Sequence, residues 1–360
     1  MKSIHRTFFT ILSLGFICAA PAADPLVRHD VYEMRLSQKE SQPDVAEYMA
    51  SRNREALAYV RINVGADGRV TQAEVVDGFY SAEQAAGAQK IAGKLKYLPK
   101  TVDGKPVETS GLIPIRYLLP PGTDSHSADA SLQLVADLLT ARKWSEALEK
   151  MDQIKNEVTR NWDYRVLQSL RATAYAGLGN AEEGLRHAIR GCHCSFTSAT
   201  DTQPTCEGPS FLVKQTVALR MRLQRQLGLY GEALESWGDL KRLESADELR
   251  PFEKEVAQLQ LLASGDDAIP TWLQLTESGD AGTLLFRNTV AFDQVTDGEI
   301  EWASIECPAA DGQRRHLDSY ALPLASAAQA VPAGAKHCSI HIKGKPGTRV
   351  RVVQSGTAMP

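Results

Sequence analysis

The densest group of chemistry-bearing residues in this chain is Cys192-His193-Cys194, with His187 before it and Cys206 after it. Thiolates and imidazoles at such short spacing suit zinc or copper. They equally suit a disulfide from Cys206 to Cys192 or Cys194, which would staple the intervening loop. Closing a loop of about 12 to 14 residues stabilises by roughly 3 kcal/mol through lost chain entropy. A redox thiol is the third option, but no nearby pattern of basic residues favours its thiolate. The staple is the expectation carried forward. Cys307 and Cys338 are expected to form a second disulfide, since they fall on separate strand-like segments of one region. His337 and His341 flank Ser339; two imidazoles alone make a poor metal site, so they read as structural or solvent-exposed histidines. No Gly-x-Ser-x-Gly, His-Glu-x-x-His or Gly-Lys-Ser/Thr motif is present, and no carboxylate pair stands in an acid–base context. The sequence therefore predicts no catalytic residue, no metal centre and no cofactor. Trp144, Tyr175, Tyr230 and Trp237 read as packing between helices. Arg220-Met221-Arg222 and Lys241-Arg242 read as solvated surface.

The disulfide reading depends on the compartment. Lys2, His5 and Arg6 precede an apolar run from Phe8 to Ala20, and Ala20-Pro21-Ala22 follows. The run is shorter than the roughly 20 residues a membrane-spanning helix needs. A positive start, a short apolar stretch and a small-x-small site read as a cleavable signal peptide over residues 1–22. Ile17 stands before Cys18 where lipidation would want a small residue. Export to the periplasm, with no stable membrane insertion of the mature chain, is expected. It leaves five cysteines in an oxidising compartment, where disulfides persist. Loss of Lys2 and Arg6 takes the formal charge from −4 to −6. An acidic chain makes nucleic acid an improbable partner. The composition, 43% hydrophobic and 23% charged, excludes fibrous and disordered classes.

A leader over residues 23–54 comes next. Tyr59 to Val64 alternates as a half-buried strand does, Gly65-Ala66-Asp67-Gly68 is a hairpin turn, and Val70 to Val76 is a second strand. Ser81 caps a helix whose inner side carries Ile91 and Leu95 and which Pro99 ends. Asp103-Gly104-Lys105-Pro106 turns the chain into a last strand, Val107 to Leu119. Pro114 within that strand argues for a sheet edge.

This order over residues 55–120 resembles the C-terminal domain of the TonB family. The resemblance rests on Asp67-Gly68, the valine-rich second strand, Tyr97-Leu98-Pro99 and Gly104-Lys105-Pro106-Val107. It implies an exposed sheet edge that captures an extended peptide from an outer-membrane receptor, a general recognition mode. The candidate edge is Val107, Thr109, Leu112, Ile113, Ile115 and Tyr117. TonB proteins also keep an N-terminal membrane helix and a long Pro-rich tether, which are not evident in this sequence. Direct energy transduction is therefore secondary to peptide capture.

Residues 121–128 read as a linker. From 129 to 270 the chain reads as helical, with a recurring segment: Lys143-Trp144-Ser145-Glu146-Ala147-Leu148, Asn180-Ala181-Glu182-Glu183-Gly184-Leu185 and Leu229-Tyr230-Gly231-Glu232-Ala233-Leu234. These helices resemble tetratricopeptide repeats, with one insertion at Gly191 to Pro209. Residues 281–356 alternate in short strands separated by turns, read as Leu284–Phe292, Glu299–Glu306, His316–Leu322, His337–Ile342 and Thr348–Val353. That pattern suggests a β-sandwich-like module. The expected whole is a multi-domain α+β protein: a β-β-α-β TonB-like domain, a tetratricopeptide-like solenoid and a β-rich module. The expected function is non-enzymatic binding of envelope proteins or peptides, with an outer-membrane receptor among the candidates. The alternatives are a TonB-like component of receptor-dependent transport and an envelope hydrolase or thiol oxidoreductase built on Cys192 and Cys194.

Overall fold

A computed structural model of the chain describes residues 26–28, 54–97, 99–102, 104–119, 128–191, 210–308, 317–322, 328–332, 335 and 338–359. The first part is a small antiparallel sheet. Strands β2 (Ala56–Val64), β3 (Val70–Phe79) and β6 (Thr109–Tyr117) lie in the order β3-β2-β6. Helix α1 (Ala82–Ala92) crosses one face, and β4 (Lys100–Val102) and β5 (Lys105–Val107) form a separate hairpin. Ser81 caps α1 through a full capping box with Gln84. The helix ends at Ala92, with Gly93 as its cap, several residues before the expected Pro99. The expected last strand is in fact two, since Glu108 separates β5 from β6 and only β6 joins the sheet.

The half-buried alternation read for Tyr59 to Val64 holds from Val60 to Val64, with Arg61 and Asn63 on the more open face, and is corrected only at Tyr59. Ala58, Val60, Ile62 and Val64 pack with Ile113, Ile115 and Tyr117 under α1, where Ala88 and Ile91 meet them. The opposite face is covered at its Leu57 and Tyr59 end. Leu57, Tyr59 and Phe79 join a core with Leu132, Val135, Leu139, Tyr164 and Val166 of the helical region. Tyr59 is only 3% exposed. Alternation in a strand cannot distinguish a solvated face from one covered by amphipathic residues of another element.

The helical region contains α2 (Asp129–Thr140), α3 (Trp144–Ile154), α4 (Asn161–Gly177), α5 (Ala181–Gly191), α6 (Ser210–Gln226), α7 (Tyr230–Leu243), α8 (Ala246–Leu249) and α9 (Glu253–Ser264). The three recurring segments open α3, α5 and α7. Each follows the same cap. Lys143, Asn180 and Leu229 donate their amides five residues back, to Leu138, Tyr175 and Gln224, each at 2.9 Å. The residue before each is left-handed: Arg142 at φ 58°, Gly179 at 79° and Gly228 at 75°. That is the Schellman arrangement, which satisfies otherwise orphaned helix carbonyls. The recurrence in sequence is thus a recurrence of helix endings.

The last part holds two sheets. One has the order β1-β7-β14-β9-β12, with β1 (Leu26–Arg28), β7 (Ile269–Gln274), β9 (Arg287–Thr296), β12 (Gln329–Ala330) and β14 (Arg349–Ala358). The other has β11 (Leu317–Ala321), β10 (Ile300–Pro308), β13 (Ser339–Gly344) and β8 (Asp280–Leu284), in that order. They share one apolar core. Leu273, Val290, Phe292, Val350 and Val352 come from the first sheet, and Ala303, Ile305, Ile340 and Ile342 from the second. The expected strand Leu284–Phe292 is broken at Leu285-Phe286, because β8 and β9 belong to different sheets. Strand β7 lies before the module's expected start at 281 and pairs with both β1 and β14. The chain is therefore a mixed α+β protein, and its regions pack on one another.

Candidate functional site

The small sheet is built by contacts between its sequence motifs. Gly68 is left-handed, and a side chain there would collide with the Tyr97 carbonyl, 2.0 Å from a built Cβ. The Tyr97 amide donates to the Gly68 carbonyl at 2.9 Å. Asp67-Gly68, Tyr97 and Pro99, far apart in sequence, therefore form one corner. Tyr117 closes the other end by donating its hydroxyl to the Gln84 carbonyl at 2.7 Å. Gly87 leaves room for that hydroxyl.

Strand β6 has one sheet neighbour, β2, so it is an edge of this sheet. Thr109, Ile113, Ile115 and Tyr117 are buried there, and Leu112 packs toward the helical core. Val107 stands apart, at the end of the β4–β5 hairpin opposite Lys100. These side chains are committed to internal packing. What β6 can offer a partner strand is main chain. The sheet's other edge is β3.

Beside the start of β6 the structure gathers a second group, which sequence reading did not assemble. On the four-stranded sheet, Trp302, Ser304 and Glu306 of β10, His341 and Lys343 of β13 and Asp280 of β8 face away from the apolar core. They meet Lys100 of β4 and Ser110 of β6. The Lys100 ammonium contacts both the Glu306 carboxylate and His341 Nδ1, and it sits over the Trp302 ring at 4.7 Å. His341 Nδ1 lies 3.1 Å from Glu306 Oε1, and its Nε2 lies 3.1 Å from Asp280 Oδ1. Lys343 donates to Asp280 Oδ2 at 3.0 Å and to the Ser278 carbonyl at 2.7 Å. The Ser110 hydroxyl contacts Asp280 and lies 3.0 Å from Ser278 Oγ. Ser304 donates to Glu306 at 3.3 Å.

Residues 44–119 match the family model of the Gram-negative bacterial TonB protein C-terminal. The matched segment contains the whole small sheet, α1 and the β4–β5 hairpin, hereafter the TonB-like unit. No curated protein and no solved structure matches the chain.

Electrostatics at the cluster follow from burial and pairing. Burial alone would raise the Glu306 carboxyl, but Lys100 and the hydrogen bond from His341 outweigh it and bring it down to about 2. Burial also pushes Asp280 up; its hydrogen bond and charge partner His341, with Lys343, hold it below the usual range. Burial lowers the Lys100 ammonium, and Glu306 only partly restores it. Two ammonium groups and two carboxylates, with an imidazole between, thus stand almost dry at the contact of the TonB-like unit with the β-rich region. Among the described residues, no group of three or more His, Cys, Asp or Glu is arranged to hold a metal ion.

The remaining sequence candidates are placed as follows. Cys307 and Cys338 form a disulfide. Cys192, His193, Cys194, Cys206 and His337 lie outside the described residues, as do the expected signal peptide and the segment 121–127. His187 stacks on Tyr175 with ring centroids 5.2 Å apart and pairs with Gln168. Burial first, then Arg171 and Arg186, drive its pKa down to about 3, so it is neutral at ordinary pH. Trp144 packs where a Cβ on Gly177 would stand 2.5 Å from its ring. Tyr230 meets Phe286 edge-on at 5.9 Å. The repeat aromatics contribute to packing between elements. Arg220 and Arg222, read as solvated surface, are instead half-buried and pair with Asp239 and Glu255.

Proposed function

We propose that the chain is a non-enzymatic protein of the Gram-negative envelope that binds extended protein or peptide segments by strand addition to its TonB-like unit. The observation that carries this reading is the family match over residues 44–119, on a sheet whose β6 has a single strand neighbour. Strand addition needs an edge with main-chain groups to offer, and side-chain pockets only tune it. The buried side chains of β6 suit that division of labour. The helical region is proposed to be a tetratricopeptide-like solenoid and the two-sheet region a β-sandwich, both acting as scaffold. A cleavable leader and a periplasmic location belong to the same proposal. Extended periplasm-facing segments of outer-membrane receptors are the proposed ligands, and participation in receptor-dependent transport is the narrower version of the reading.

The test is amide hydrogen exchange on the full chain with synthetic peptides copying such receptor segments. Slowed exchange along residues 109–117 on adding a peptide is the expected result. Peptides that bind elsewhere, or leave 109–117 unchanged, would overturn strand addition at β6.

A further inference from the structure

We infer that the β-rich region, which stays anchored to α7 and α9 through Ile269 and Phe286 packed with Tyr230, Leu234 and Ala263 and through Glu232 bonded to Thr283 and Leu284, is a cap that can part from the β6 end of the TonB-like unit, where the cluster of Lys100, Ser110, Glu306, His341 and Asp280 holds it. The inference rests on the proposed role of β6 only in what opening makes available. Thr109 and Ser110, the first residues of β6, are 6% and 3% exposed. Ser110 is covered by Ser278 and Asp280 of the β-rich region. A strand added along the full length of β6 would meet these residues.

The chemistry of the contact favours separation. Lys100, Ser110 and Arg61 stand on one side. Glu277, Ser278, Asp280, Ser304, Glu306, His341 and Lys343 stand on the other, with the Trp302 ring beneath Lys100. The outermost pair, Arg61 with Glu277 at 2.9 Å, is exposed on the Glu277 side and adds little. Buried ion pairs recover only part of their desolvation cost while closed, and they regain water when they part. An apolar contact would instead expose apolar surface on opening. Polar, domain-to-domain contacts of this kind are the ones that move.

The experiment is amide exchange on the full chain carrying Lys100→Glu or Lys100→Met. Each variant takes from Glu306 its ammonium partner and leaves it only His341 and Ser304. The expected result is exchange about a hundredfold faster at residues 109–111 and 280–282, the scale of losing one partner of a buried pair, with residues 132–139 unchanged. No local acceleration in either variant would overturn the cap. So would acceleration at 132–139 in step with 109–111, since the two contacts would then open together. Should both variants fail to fold, Ser110→Cys/Ser278→Cys joins the same two sides. Its oxidised form is expected to exchange more slowly at 109–111 than its reduced form, and equal rates would overturn the cap. The receptor-segment peptides form a separate arm. Opening that tightens peptide binding about tenfold, as freeing a minor competent state does, supports both the cap and capture at β6. Opening with no peptide binding in any form leaves the cap standing and removes the capture reading.

Discussion

The TonB-like unit has two neighbours and meets them differently: its contact with the helices is mainly apolar, with the Asp77–Arg190 ion pair and the Asn161 amide donating to Glu55 at 2.7 Å beside it, and its contact with the β-rich region is mainly ionic. Toward the helices it presents Leu57, Tyr59, Phe79 and Leu112 to Leu132, Val135, Leu139 and Tyr164, and Phe79 stacks on Tyr164 at 5.1 Å. Toward the β-rich region it presents Lys100 and Ser110 to Asp280, Glu306 and His341. The first contact excludes water from apolar surface, which stabilises in proportion to area and has no alternative state. The second excludes water from charges that water would solvate well. One sheet is thus fixed on one side and only balanced on the other. Of β6, Leu112 reaches the fixed side, Ile113, Ile115 and Tyr117 lie in the unit's own core under α1, and its start belongs to the balanced side.

The comparison breaks most visibly at Phe79. Phe79→Ala should cost about 3 to 5 kcal/mol in urea unfolding, the range for a buried aromatic. The loss should be shared by the small sheet and α2–α4 in a single transition. A loss under about 1 kcal/mol would mean that the apolar contact is not what joins them. Glu306→Gln attacks the other contact and should cost about 3 kcal/mol, because Lys100 is left buried without its carboxylate. The double variant Lys100→Met/Glu306→Met should cost less than Glu306→Gln alone. A double variant worse than the single would show the pair to be net stabilising, and the contrast between the two contacts would narrow.

Acidity separates the ionic contact from a third one. Glu306 is held near 2 in the folded chain, against an ordinary value near 4.5. Its contribution, up to about 3 kcal/mol, is fully present above 4.5 and is lost as pH falls toward 2. Glu232 of α7 behaves in the opposite sense. It accepts from the Thr283 hydroxyl at 2.8 Å and the Leu284 amide at 2.9 Å, where the helices meet β8. Burial raises it to about 7 against those hydrogen bonds. The folded chain therefore favours the protonated carboxyl, and its contribution is present below 4.5 and lost as pH rises through 7. Glu232→Gln should remove that alkaline loss, flattening Tm between pH 5 and pH 8 while leaving the acid limb intact. A variant whose Tm falls across this range as steeply as the parent's would rule Glu232 out as the cause.

Local rules made much of the architecture legible. Asp67-Gly68 marked a hairpin, Ser81 an N-cap, and the recurring segments three equivalent helix starts, because turns and caps are set by residues within a few positions. Cys307 and Cys338 could be paired because both fall in strand-like sequence of one region; Cys307 lies on β10 and Cys338 directly before β13. The reading failed where a second element decides the outcome. Nothing local says that Tyr59 faces helices rather than water. Strand β7 was missed because Ile269 to Gln274 is short and pairs only with distant segments. The ionic cluster was half visible. Trp302, Ser304 and Glu306 alternate with Ala303, Ile305 and Cys307, and His341 and Lys343 with Ile340 and Ile342, which marks a polar outer face. That Lys100 covers this face, some two hundred residues away in sequence, is a tertiary fact with no local trace.

The smallest expected effect sharpens the comparison by acting on neither contact. Arg142 holds the left-handed position that Gly179 and Gly228 occupy in the two later helix endings. A side chain in that conformation costs about 1 kcal/mol or somewhat more. The cap itself, with Lys143 donating to Leu138 at 2.9 Å, needs only main chain. Arg142→Gly should keep the cap and relieve the strain, at some cost in unfolded-chain entropy. The net gain should be about 0.5 to 1 kcal/mol, read as a small rise in Tm. Because α2 supplies Leu132, Val135 and Leu139 to the apolar contact, the gain should appear in the exchange of that core. Exchange at residues 109–111 should not move, since opening there is governed by the ionic side alone. Slowing at both places would mean that the two contacts open as one unit, and the division between a fixed and a balanced face would be lost.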